Sequence, residues 1–181
     1  AHSVVNQQLS TKAAATIWRR LEEALAPAPV NAEGLLRLSE DELRALGISR
    51  QKGGYLRSLA ERTLDGTIDF AQLPRMSDQE VIDHLTTAKG IGVWTAHMFL
   101  IFALKRPDVL PTGDLGVQNA IKRIYRPRVP LTVQKMERLA RPWRPYASVA
   151  SWYLWRSLEF PPEVWKSTTG HVAKSITPAT R

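Results

Sequence analysis

Apolar side chains recur at every fourth position through Val5, Leu9, Ala13, Ile17, Leu21 and Leu25, which lines them along one helix face that packs inward. Ser10 stands where a cap would restart that helix after a bend at Asn6-Gln7-Gln8, and Pro27-Ala28-Pro29 ends it. Ser39 and Glu42 have the spacing of a capping box and open a short amphipathic helix that stops at Gly47. Ser49 caps the next, whose buried face is Tyr55, Leu56, Leu59, Ala60 and Leu64 before Gly66. Ser77 and Glu80 repeat the box and turn Val81, Ile82 and Leu85 inward. No segment alternates strictly, and Thr67 to Phe70 reads as a loop or an isolated extended piece, so the class is all-α.

Two helices meet in "LTTAKGIGVWTAHMFLIFAL" through Gly90-Ile91-Gly92, a joint with room only for a tight hairpin. Both glycines are expected to adopt conformations closed to other residues and to let a phosphate reach bare backbone, with Ile91 pinning the turn to the core. The amides opening the second helix would then face outward at the positive end of its dipole. Gly-x-Gly alone is more often a helix–helix turn that binds nothing.

Further on, "LPTGDLGVQNAI" sets a lone carboxylate, Asp114, in a Gly-bounded turn before a helix from Leu115 to Tyr125. A Pro-bounded loop runs through Pro130, followed by a helix from Val133 to Leu139 and a last one through Tyr153 and Leu158, while residues 161–181 read as loosely ordered. An Asp after a Pro-Thr-Gly turn commonly does no more than cap the helix it precedes.

The 181 residues, 44% hydrophobic, suffice for one ordinary core or two small helical lobes sharing a cleft; the lobes are drawn at 1–108 and 109–181. Residues 1–108 hold 13 basic and 13 acidic side chains, whereas 109–181 hold 12 and 4, so the second section carries the whole net charge of +8. Such a field favours a polyanion, nucleic acid before an anionic membrane. Lys122, Arg123, Arg126, Arg128, Arg141 and Arg144 supply it and would suit phosphates near Asp114.

Cysteine is absent, which excludes a disulfide framework, thiolate-held zinc and an iron–sulfur cluster. His84, His97 and His171 lack metal-ligand spacing, so no side-chain metal site is expected. The longest apolar run, Met98 to Leu104, is too short for a bilayer, and no secretory signal pattern opens the chain, so an intracellular place is expected, cytoplasmic, nucleoid or nuclear. Ala1, with no Met before it, is read as a trimmed start.

The stretch Leu85 to Ala96, followed about twenty residues later by Asp114, resembles the helix-hairpin-helix superfamily of DNA glycosylases. "QQLSTKAA", "GIGVWTA", "LPTGDLG" and "RPWRPYASVASWYLW" are similar, in that order, to its alkylation-repair branch, the 3-methyladenine DNA glycosylase II type, over about residues 3–159. Larger relatives carry an N-terminal sheet domain for which this chain has no room, so a compact, monomeric member is expected.

The resemblance implies an enzyme whose catalytic residue is Asp114. Breaking an N-glycosidic bond builds positive charge on deoxyribose, which an ionised carboxylate stabilises while orienting or deprotonating water. It implies an aromatic pocket for the flipped base made by Trp94, Trp152 and Tyr153, with Met98 where some relatives place an aromatic ring. Indole faces attract a cationic methylated base. Trp18, Trp143 and Trp155 are read as core. Lysine holds the position of Trp94 in superfamily members that also nick the strand, and indole forms no Schiff base, so a monofunctional enzyme is implied.

DNA contacts are placed on Lys89, Gly90, Ile91, Gly92 and Thr95, and on Gln7 and Gln8, with Gln8 chosen to fill the gap left by the extruded nucleotide. Gln7-Gln8 also fits a plain polar helix edge. No cofactor serves the chemistry, and the family implies a monovalent cation on the hairpin's backbone carbonyls. The partner is double-stranded DNA carrying 3-methyladenine or 7-methylguanine. Two competing readings stand beside this one: a hairpin module that binds DNA without chemistry, and a helical protein-interaction domain.

Overall fold

The chain bends where its first apolar stripe runs past Asn6-Gln7-Gln8. Helix α1 covers His2–Asn6 and α2 restarts at Thr11–Leu25, with Ser10 Oγ accepting from Ala13 N at 3.3 Å. The structure, a computed structural model, describes residues 1–7, 9–127 and 129–160, so Gln8, Arg128 and the 161–181 stretch with His171 lie outside the described residues. The bend shifts the phase of the stripe. Leu9 falls in the break and is 39% exposed, against expectation, and Ala14 rather than Ala13 joins Val4, Val5 and Leu21 in the interior.

Local capping sets the helices that follow. Helix α3, Ala32–Arg37, was not foreseen; Asn31 Oδ1 caps it from Gly34 N at 2.7 Å. Helices α4, Glu40–Ala45, and α6, Asp78–Thr86, open with the complete capping boxes of Ser39 with Glu42 and Ser77 with Glu80. Helix α5, Arg50–Leu64, starts at the Ser49 cap and buries Leu56, Leu59 and Ala60. Leu64, expected on that inner face, is half exposed because the helix ends there at Asp65. Gly47 and Gly66 take φ of +94° and +80°, where a Cβ is strained.

Helix α7, Val93–Met98, runs straight on into a π-helical turn at Phe99–Ala103. Beyond it lie α8, Leu115–Tyr125, α9, Val133–Ala140, and α10, Ala147–Ser157. No strand occurs among the described residues, and the fold is all-α.

The chain divides into two compact units, Ala1–Arg106 and Pro107–Arg181. The first buries Leu21, Leu43, Ile48, Leu56, Ile68, Leu73 and Leu100 almost completely. Each such side chain contributes about 1.5–3 kcal/mol of burial.

The second packs α8, α9 and α10 around Val117, Ala120, Ile121, Met136, Ala140, Ala147 and Leu154. Its segment 107–109 clamps the start of α10: Ser148 N donates to Pro107 O at 2.9 Å, Ala147 N to Asp108 Oδ1 at 3.1 Å, and Val109 N to Ser148 Oγ at 2.9 Å. The inner face of α10 is small and polar at Ala147, Ser148 and Ser151, which places its later residues against the start of α8.

Candidate active site

In the first unit the turn between α6 and α7 is built on α5. Gly90 has φ +79°, and a Cβ there would stand 2.2 Å from the Tyr55 ring, so glycine is required twice over. Lys89 N donates to Ser58 Oγ at 3.0 Å, and Gln51 Nε2 holds the Tyr55 hydroxyl at 2.7 Å. Ile91 is 8% exposed and pins the turn as its sequence position suggests. Tyr55 was read only as part of its helix's buried face and Ser58 was not singled out, so neither was linked to the hairpin.

Gly92 differs from Gly90. Its φ is −94°, and nothing lies within 4 Å of where its Cβ would be, so the expectation that both glycines need a special conformation is corrected. It is the N-cap of α7 and offers no side-chain cap to the amides that follow. Lys89 is exposed, Trp94 is 44% exposed and Met98 is half-buried. Thr95 is only 7% exposed, so its side chain faces the interior and offers a phosphate little surface.

Gln7, placed among the DNA contacts, donates through Nε2 to Gly90 O at 3.0 Å and ties the bend after α1 to the hairpin, while Gln8, chosen for the gap, lies outside the described residues.

In the second unit, Asp114 N donates to Pro111 O at 3.0 Å and Gln118 Nε2 to Thr112 O at 2.8 Å, which closes the turn. Asp114 is the N-cap of α8, and Oδ1 accepts from Val117 N at 2.8 Å. The same oxygen accepts the indole N–H of Trp155 at 2.7 Å. The residue is 8% exposed. Trp155, read as core, does pack against the second unit's core, and it is also a hydrogen-bond donor to the carboxylate. Gly116, in the first turn of α8, makes room for it, since a Cβ there would stand 2.8 Å from Trp155 Cδ1, a closeness that no spacing in the sequence announces.

Trp152 and Tyr153 are 48% and 65% exposed on α10, with their rings edge to face at 5.1 Å. The Arg156 guanidinium lies 5.7 Å from the centre of the Trp152 ring. Tyr153 lines a cavity of about 420 Å³ with Ile124, Trp143, Leu154 and Phe160, and Trp152 is not among its walls. Among the tryptophans read as core, Trp18 donates to Glu22 Oε1 at 2.7 Å, and Trp143 packs beside the second unit's core.

Arg144 pairs with Asp108 at 2.9 Å and Arg123 donates to Phe160 O at 2.9 Å. Lys122 and Arg126, with Lys135, Arg138 and Arg141, line two concavities that share Val129 and Pro130. Lys122 and Arg126 lie toward the far end of α8, about 12 and 18 Å along its axis from Asp114 at the helical rise.

No group of three or more His, Asp or Glu that would hold a metal occurs among the described residues. His84 Nδ1 meets Glu80 O at 2.9 Å, while His97 is half-buried with Nδ1 covered and no partner among the described residues. Burial lowers the pKa of His97, and the Asp78 charge opposes this weakly. No helix of the described residues is long and apolar enough to cross a membrane.

A helical hairpin resting on α5 and a carboxylate capping a later helix define the helix-hairpin-helix class. Residues 1–145 match the HhH-GPD superfamily of base excision DNA repair proteins, and the chain belongs to that family. It is 34% identical over 165 residues to the putative DNA-3-methyladenine glycosylase YfjP of Bacillus subtilis, covering 86% of this chain and 56% of the relative. It is 37% identical to DNA-3-methyladenine glycosylase 1 of Schizosaccharomyces pombe, covering 86% and 69%.

Among solved structures, the DNA-3-methyladenine glycosidase of Bacillus halodurans matches with a TM-score of 0.78 at 40% identity, over 86% of this chain and 72% of that one. The S. pombe 3-methyladenine DNA glycosylase Mag1, in complex with abasic DNA, matches at 0.74 and 35%, over 89% and 79%. The chain thus spans little more than half the length of the B. subtilis relative and about seven tenths of the S. pombe one.

Proposed function

We propose that this protein is a monofunctional DNA glycosylase of base excision repair. It hydrolyses the N-glycosidic bond of alkylated purines, 3-methyladenine and 7-methylguanine first, in a nucleotide turned out of double-stranded DNA, and leaves an abasic site. The observation that carries this reading is Asp114, a carboxylate with a little exposed surface whose Oδ1 is held by two N–H donors. The names of the relatives support it, as does the abasic DNA bound to one of them.

A purine methylated at N3 or N7 is a cation. When its bond to C1′ breaks, the electron pair goes to the ring nitrogen and the base departs neutral, so no strong general acid is required. The positive charge passes to the sugar, where the Asp114 carboxylate stabilises it. Water adds to C1′ and gives its proton to that carboxylate and then to solvent.

The candidates to receive the flipped base are Trp152 and Tyr153 on the second unit and Trp94 and Met98 on the first, with indole faces favouring the cation over a neutral purine. Trp94 supplies no amine for a Schiff base, so no lyase step follows. The hairpin grips backbone phosphate through the amides after Gly92, assisted by Lys89.

Its carbonyls between Thr87 and Gly92 are neutral oxygens, a donor set that fits a monovalent cation. Such an ion would add positive charge beside a phosphate and take no part in the chemistry. The protein acts as a monomer inside the cell and needs no cofactor.

The test incubates methylated duplex DNA with wild type and with Asp114→Asn and identifies the bases released. Wild type is expected to release methylated purines and the folded variant to release none. No base release by folded wild type leaves a DNA-binding module without chemistry, and equal release by the two removes Asp114 from the reaction.

A further inference from the structure

Most described acids of the second unit are already engaged. Asp108 pairs with Arg144, Glu159 pairs with Arg156, and Asp114 caps α8. That leaves Glu137, exposed on α9, against Lys122, Arg126, Lys135, Arg138 and Arg141, none of which joins a salt bridge among the described residues. These five cations line the two concavities that share Val129 and Pro130, and no described lining residue of either is acidic. Helix geometry gathers them. Lys122 and Arg126 are four apart at the end of α8, while Gln134, Arg138 and Arg141 recur at i, i+4 and i+7 along the side of α9 opposite buried Met136 and Ala140. Lys135 Nζ donates to Val129 O at 3.4 Å and ties the joining loop to α9. Arg126 closes α8 in left-handed backbone, φ +44°, where glycine or asparagine is usual and a Cβ is crowded. Local backbone preference disfavours an arginine there, and what it supplies to the surface is charge.

We propose that this surface binds the phosphate backbone of the duplex flanking the damaged nucleotide, a grip distinct from that of the hairpin. The inference rests on the reading of Asp114 as the place of reaction. Lys122 and Arg126 stand about 12 and 18 Å along α8 from Asp114. With one phosphate per about 3.4 Å of axis on each strand, that reach corresponds to roughly four to five nucleotides. Concave walls bearing positive charge and no acid suit a rod of phosphates, held without regard to sequence. Nucleic acid is favoured over a lipid surface on two grounds. The chain belongs to a DNA repair superfamily. A membrane-lying helix would also turn an apolar face outward beside its cations, whereas α9 packs Met136 and Ala140 into the unit's core.

The test measures affinity for a duplex of about 25 pairs with one central 7-methylguanine across a range of salt, beside single-turnover base release at saturating protein. Lys122→Gln combined with Arg138→Gln removes one cation from each concavity. Arg37→Gln combined with Arg44→Gln, at exposed positions of the first unit, removes the same net charge and serves as control. The first pair is expected to bind on the order of tenfold more weakly and to make the slope of log affinity against log salt shallower by about 1.8, or 0.9 per lost phosphate contact. Its saturated rate should stay within about twofold of wild type, since the surface does not touch the reacting atoms. The control pair should change the slope by less than about 0.5. Arg126→Gly relieves the left-handed backbone, so it should hold or raise the melting temperature while weakening DNA binding, a split that a merely structural residue would not give.

Wild-type affinity and slope in the Lys122 and Arg138 pair overturn the proposal. So does an equal loss in the control pair, which makes the effect one of net charge alone. Loss of binding to phosphatidylserine vesicles in the first pair, with DNA affinity kept, overturns it in favour of a membrane. If wild type releases base and the first pair binds as wild type does, only this surface falls. If wild type releases no base while binding divides as stated, the enzymatic reading of Asp114 falls and the surface stands as a grip on DNA.

Discussion

Two turns in this protein end on an N-cap residue in extended conformation, and they use that position in opposite ways. Asp114, at φ −79°, fills the start of α8 with its own carboxylate. Gly92, at φ −94°, leaves the start of α7 without a side-chain cap. Helix N-termini carry unsatisfied amides and a positive partial charge, which a residue's own carboxylate satisfies or which stay open to an outside anion. The first unit keeps the amides open and the second closes them, so a phosphate suits the hairpin while a negative charge is built into the protein at Asp114.

The hardest break is to remove that built-in charge. Asp114→Asn caps α8 about as well, so the melting temperature should hold while base release falls by about three orders of magnitude, measured by chromatography of released purines. Gly90→Ala tests the platform under the hairpin. With φ +79° and the Tyr55 ring in the way, it should lose about 2–4 kcal/mol in denaturant unfolding, and DNA affinity with it.

Gly92→Asp converts the open turn into the closed kind. It should leave stability unchanged or raise it by about 0.3–1 kcal/mol, while affinity for any duplex drops roughly tenfold or more. Stability and affinity falling together would sink the contrast between the turns.

The smallest effect is titrational. Burial holds the pKa of His97 below its usual 6.5, so the unfolded chain binds the extra proton first and stability falls as pH drops through that value. The melting temperature of His97→Gln should lose less than that of wild type between neutral and mildly acidic pH.

Much of the helical plan was legible. Ser10, Ser39, Ser49, Ser77 and Asp114 all cap the helices their spacing announces, because a cap joins residues three apart. Where the reading failed, the cause was usually a break in local continuity. Leu9 lost its face at the bend and Leu64 at a helix end. Helix α3 was passed over because Asn31 caps only a six-residue piece.

The sequence by itself determined the class, the ends of most helices and the two turns that matter, since periodicity and capping act over a few residues. Tertiary structure alone decided that Tyr55 lies against Gly90, that Gln7 holds the hairpin carbonyl, and that Trp155, 41 residues away, donates to Asp114. Those contacts depend on how whole helices pack, and no spacing along the chain encodes which side chains that packing brings within 3 Å of one another.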